Sequence, residues 1–104
     1  MVIKAITTES FRDDVLKTRK PVLVKFWAPW CGYCRALAPA LESIEKQYES
    51  LLSVGRVNFD TETALVRRYN IHALPTLLLF INLKSIREER EADIQNKKLR
   101  AKSR

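Results

Sequence analysis

Apolar positions along the chain fall into short blocks whose spacing alternates between strand-like runs and helical stripes. Val2 to Ile6 is a brief β-rich run. Phe11, Val15 and Leu16 then recur at i, i+4 and i+5, one face of a helix that ends before Pro21. Thr8 or Ser10 is the predicted N-cap, with Asp13 three residues after Ser10 in a capping-box spacing. Val22 to Ala28 is almost uninterrupted apolar sequence, the signature of a strand covered on both faces. Lys25 alone breaks it. A helix is predicted from about Cys34 to Tyr48, where Leu37, Leu41, Ile44 and Tyr48 keep a helical period. Pro39 lies inside it and is expected to kink it, since proline lacks an amide donor and crowds the preceding turn. Leu52 to Phe59 reads as a second buried strand, Thr61 as the cap of a short helix through Tyr69, and Pro75 as the opening of a strand from Thr76 to Ile81. Strands alternating with helices predict an α/β sheet with parallel pairs.

The last quarter, KSIREEREADIQNKKLRAKSR, has helix propensity and few β-branched residues. Two readings stay open: one polar helix, or a charged edge strand followed by a helix from about Asp93. Neither repeat nor linker divides the chain, so residues 1–104 are expected to form one domain, with 93–104 as a short basic helix or tail. Apolar residues at 46% and charged ones at 30% exclude a disordered tail. The longest apolar run, Leu77 to Ile81, is far short of the ~20 residues that a bilayer requires. The first twenty residues hold no apolar block of the secretory type, so the expected location is the cytoplasm.

Charge changes the picture only at one end. Lys and Arg number 19 against 12 Asp and Glu, a net +7. Lys97, Lys98, Arg100, Lys102 and Arg104 crowd the last eight positions. Such a tail can contact nucleic acid, but the simpler reading is a solvated helix end, because no glycine or aromatic interleaving accompanies the cations.

Cysteine usage carries the chemistry. Cys31 and Cys34 are the only cysteines, and their spacing staples nothing distant. One histidine, His72, leaves too few ligands for a zinc site within one chain. What remains is a local dithiol that can open and close. It sits in Trp27-Ala28-Pro29-Trp30-Cys31-Gly32-Tyr33-Cys34-Arg35, between a strand and a helix. A thiolate at a helix N-terminus faces unpaired amides and the positive end of the dipole, and both lower its pKa. Gly32 is expected to allow the tight turn. Cys31, outside the first turn, is expected to be exposed and nucleophilic. Cys34, within it, would be covered and placed to resolve a mixed disulfide.

WAPWCGYC, Pro39, and Ala73-Leu74-Pro75-Thr76 together resemble the thioredoxin family: its WCxxC site, its helix-kinking proline and its cis-proline loop. The resemblance covers about residues 3–82. It implies a three-layer α/β/α fold with a mixed central sheet of four to five strands. It implies reversible dithiol–disulfide exchange with protein substrates, with Cys31 attacking, Cys34 resolving, and no cofactor beyond the Cys31–Cys34 pair. Pro75 in cis would border a groove with Trp30 and Leu74 as apolar rim. The implied partners are protein disulfides and a thioredoxin-reductase-like or thiol electron donor. A monomer is expected, with neither membrane nor nucleic acid as partner.

The chain departs from the family in several places. Gly32-Tyr33 stands where thioredoxins usually carry Gly-Pro, and is similar to the pair in bacterial disulfide isomerases. Lys25 replaces the acid that the family buries beneath the dithiol, and Arg56 matches that acid's usual cationic partner. Lys25, Gly32, Tyr33 and Arg56 are therefore the candidate redox-tuning residues. A charged Lys25 would favour the Cys34 thiolate unless it snorkels to the surface. Asn82-Leu83-Lys84 replaces a glycine turn. Trp27 is expected in the core, Trp30 at the surface, and His72 in a loop near the site. The alternatives that stay open are an oxidase or isomerase of the same fold, a binding module using the basic tail, and a metal-bridged dimer.

Overall fold

A computed structural model describes residues 3–84 and 87. Both readings of residues 84–104, and the basic tail, therefore lie almost wholly outside the described residues. Strands β1 (Lys4–Ala5), β2 (Val22–Trp27), β3 (Ser53–Asn58) and β4 (Thr76–Phe80) form one mixed sheet in the order β1-β3-β2-β4. Helices α1 (Gly32–Gln47) and α2 (Thr63–Arg68) and a helical turn over Arg12–Leu16 complete the described elements.

The apolar run of β2 serves two cores at once, as its lack of alternation predicted. Val22, Val24 and Phe26 pack with Ile6, Phe11, Val15, Val57, Leu65 and Ile71. Phe11, Tyr69 and Phe80 close this core with ring centroids 5.1–5.5 Å apart. Leu23, one residue out of step, packs on the other face against Leu41, Val54, Leu37 and Ile44. Helix α1 covers that second face and passes through Pro39 without interruption.

The expectation of parallel pairs holds for β1–β3 and β2–β3 but fails for β4, which runs antiparallel to β2. The sheet is therefore mixed, as the resemblance implies, with β4 its antiparallel member. Asn70, at φ 57°, makes the sharp turn out of α2, a conformation that asparagine tolerates better than most residues.

Two caps differ from the sequence reading. Neither Thr8 nor Ser10 with Asp13 opens the first helical turn. Thr7 and Ser10 bond each other's amides reciprocally at 3.0–3.1 Å, and the turn closes through a wide bond from the Lys17 amide to the Arg12 carbonyl. Thr8 points away, donating its amide and hydroxyl to Glu62 Oε1 at 2.8 and 3.1 Å. Thr61 does not cap α2; it donates to Glu62 Oε2 at 2.6 Å. Glu62 thus ties the start of α2 to the loop after β1, a link 54 residues long that no local pattern announces.

These contacts set an acid limit. Hydrogen bonds from Thr61 and Thr8 hold the Glu62 carboxyl below its ordinary value of 4.5. The bond from Lys4 Nζ at 2.8 Å does the same for Asp14. A depressed native pKa gives stability that is complete above the unfolded value and is lost as pH falls through the native one. Urea unfolding followed below pH 4.5 is therefore expected to show a steep loss of stability. That loss should be shallower in Glu62→Gln and in Asp14→Asn; equal slopes in all three proteins would contradict this assignment.

Candidate active site

Strand β2 delivers the chain to a loop at Ala28–Trp30, and α1 starts immediately after Cys31. Cys31 is itself the N-cap, in extended conformation at φ −87° and ψ 104°. Its Sγ accepts a hydrogen bond from the Cys34 amide at 3.1 Å. One of the orphan donors of a helix start is thereby aimed at sulfur, the geometry that favours a thiolate. Cys31 and Cys34 form a disulfide across a Cα–Cα distance of 5.3 Å.

The expected exposure of Cys31 is corrected: it is 6% exposed, and Cys34 1%. The order is kept, but both sulfurs turn inward. Ala28 packs with them, and Trp27, Phe59 and Leu74 close around the cluster. The Leu74–Pro75 peptide is cis, and Leu74 brings this loop against the dithiol. Trp30 stands at the surface, 64% exposed. Its indole donates to Asp60 at 3.0 Å, and its ring meets Phe59 edge-on at 6.4 Å. Tyr33 is 81% exposed. His72 bonds Asn70 Oδ1 through Nε2 at 2.8 Å in its exposed loop.

Gly32 departs from expectation. Its φ is not positive, and a Cβ built there would meet nothing within 4 Å. The turn is made by the extended Cys31, so glycine is not required by the backbone.

Two cations stand side by side on β2 and β3. Lys25 is buried and pairs in register with Arg56 on β3. It shares the face of β2 that carries Leu23 and Trp27, the face under α1. The Arg56 guanidinium lies over the Trp27 ring, 5.4 Å from its centroid, and its Nε is buried without a hydrogen-bond partner. Burial, and then the Arg56 charge, push the Lys25 pKa down; Glu42 on α1 partly offsets them. The simple snorkelling lysine is thus set aside. Trp27 joins both layers, touching the dithiol cluster and lying under Arg56.

Three contributors escaped the sequence reading. Asp60 orients Trp30, the Glu42 charge partly offsets the lowering of the Lys25 pKa, and Arg35 Nη1 donates to the Pro29 carbonyl at 2.6 Å. Among the described residues, no cluster of three His, Cys, Asp or Glu side chains could hold a metal ion. No described helix is long and apolar enough to cross a membrane.

The thioredoxin family model matches residues 2–103. A thioredoxin from Griffithsia pacifica is 41% identical over 86 residues, which cover 83% of this chain and 79% of that protein. Thioredoxin 1 of Synechococcus elongatus is 43% identical over 79 residues, covering 76% and 74%. A thioredoxin of Acidithiobacillus ferridurans is 48% identical over 75 residues, covering 72% and 69%.

The buried cation has a stability consequence whose sign is fixed. A lysine with a lowered native pKa binds fewer protons folded than unfolded, so stability rises as pH climbs toward the unfolded value near 10.5. Lys25→Met is expected to stabilise the protein at neutral pH by about 1 kcal/mol and to abolish that alkaline rise. Denaturant unfolding at neutral and alkaline pH checks both. A methionine variant weaker than the parent at neutral pH would mean that Lys25 is held by net favourable pairing.

Proposed function

The chain belongs to the thioredoxin family and is a thiol–disulfide oxidoreductase, and we propose that it works as a protein-disulfide reductase in which Cys31 attacks and Cys34 resolves. The observation that carries this division is the Cys34 amide directed at Cys31 Sγ. In the reduced protein the Cys31 thiolate attacks one sulfur of a substrate disulfide. A mixed disulfide forms and one substrate thiolate leaves, taking up a proton. Cys34 loses its proton and attacks Cys31 Sγ, which releases the second substrate thiol and restores the Cys31–Cys34 disulfide. Two electrons pass to the substrate, and a thioredoxin-reductase-like protein or another thiol must supply them again.

Trp30, Leu74 and Pro75 are proposed as the apolar rim against which a substrate segment lies. Every step uses one chain's cysteine pair, so we propose a monomer of a single domain over residues 1–104. A reductase of this kind needs a compartment that keeps thiols reduced, which favours the cytoplasm. Nothing in the chemistry calls for a membrane or nucleic acid, or for a cofactor beyond the cysteine pair.

The expected outcomes are specific. Cys31→Ser abolishes reduction of an insulin-type disulfide, and Cys34→Ser accumulates mixed disulfides. Faster iodoacetamide labelling of Cys34 than of Cys31 in the reduced protein at neutral pH would reverse the roles.

Lys25 and Arg56 are proposed to tune the pair, with Gly32 and Tyr33 setting the surroundings of the sulfurs. Positive charge under the dithiol favours the reduced thiolate form and so makes the disulfide easier to reduce. Lys25→Asp should therefore shift the reduction potential to a more negative value, measured by equilibration with a dithiol couple. An unchanged or less negative potential would leave the tuning role without support.

A further inference from the structure

Opening the disulfide removes the bond that ties Cys31 Sγ to Cys34 on α1. What then keeps Cys31 Sγ over the Cys34 amide is the backbone of the loop before it. The Trp30 indole anchors that loop to Asp60, and three further hydrogen bonds tie it to the helix start. The Cys31 amide bonds the Ala28 carbonyl at 3.0 Å, and the Arg35 amide reaches the Cys31 carbonyl at a long 3.4 Å. The third is the Arg35 side chain, whose Nη1 meets the Pro29 carbonyl at 2.6 Å. It is the shortest of the three, and its donor carries a full charge, which strengthens it over a neutral pair.

The first backbone bond of α1 is thus stretched just where the helix must hold its cap, and a side chain one turn into the helix spans the gap. Proline at position 29 contributes its own part. Its ring fixes φ, so the carbonyl that Arg35 grips belongs to a residue with little freedom. The guanidinium bonds across the beginning of the helix to the residue two before Cys31, clamping the loop to the first turn of α1.

We propose that Arg35 is a positioning residue for the attacking thiolate: its clip on the Pro29 carbonyl keeps the loop, and with it Cys31, in register with the Cys34 amide while the disulfide is open. This rests on the reading that Cys31 attacks. Arg35 touches neither sulfur in this role. It acts by preserving the hydrogen bond that Cys31 Sγ accepts, and so by preserving thiolate at neutral pH. The disulfide form does not need the clip, because the S–S bond fixes the same geometry.

The test uses the full chain reduced, with iodoacetamide labelling of Cys31 and Cys34 followed separately by peptide mass as a function of pH. Arg35→Met keeps the apolar stem and removes the clip. It is expected to slow Cys31 labelling at neutral pH by about three- to tenfold, the effect of one hydrogen bond, and to move its pH profile upward. Arg35→Lys, which keeps a donor of nearly equal reach, should recover part of the rate. Thermal unfolding of the oxidised proteins should differ little, which separates positioning from general destabilisation. Each contrary result is distinct. An Arg35→Met profile equal to the parent's overturns the clip. A parent protein that falls to the Arg35→Met rate in high salt overturns it too, because the effect is then through-space charge. If Cys34 labels first in the parent, the assignment of the attacking thiol fails, and this proposal falls with it.

Discussion

One hydrogen bond, from the Cys34 amide to Cys31 Sγ, is the contact that the rest of the site is built around. It exists because a cysteine, not a serine or aspartate, occupies the N-cap of the longest described helix. A helix start leaves several amides without partners. Water or a side-chain oxygen usually takes them up. Here a sulfur does, and the electrostatic cost of making it an anion falls accordingly. The apolar collar of Trp27, Ala28, Phe59 and Leu74 keeps solvent from competing for that donor. The sheet fixes where the helix starts: β2 is paired on both sides, so the loop leaving it has little freedom.

The second constraint is the pair of cations in the sheet. Lys25 and Arg56 are paired in register across β2 and β3, and the charge of Glu42 on α1 partly offsets the lowering of the lysine pKa. Arg56 lies against the indole of Trp27, an arrangement that satisfies a guanidinium face without a carboxylate. The indole in turn packs under the cysteines. Burial of the Lys25 charge costs desolvation, which weakens the fold. In the proposed tuning role, function and stability are set against each other at one residue, Lys25.

Much of this was legible in the sequence, and the parts that were not share a cause. The double-faced strand over 22–27 and the amphipathic helix after Cys34 follow from local periodicity, and both occur within a few residues of expectation. The cysteine pair and the proline loop were visible as motifs. What escaped depended on residues far apart or on backbone direction. Glu62 reaching Thr8 and Asp60 orienting Trp30 are contacts between segments. The direction of β4 is a matter of its pairing with β2, which local periodicity does not carry. The position of Cys31 before the helix is clear from sequence, while its burial also involves Phe59 and Leu74, far along the chain. The turn that a glycine suggests at Gly32 is made by Cys31. Arg35 was in plain view beside the motif, yet its target is a carbonyl, and carbonyls carry no sequence signature.

The most direct test of the account is the ionisation of Cys31 in the reduced protein, followed by thiolate ultraviolet absorbance against pH and compared with the Cys31→Ser variant to assign the transition. A helix-capping thiolate requires an apparent pKa clearly below the ordinary cysteine value of about 8.5. A Cys31 transition at or above that value would mean that the Cys34 amide and the helix start do not stabilise the anion, and the central claim would fail.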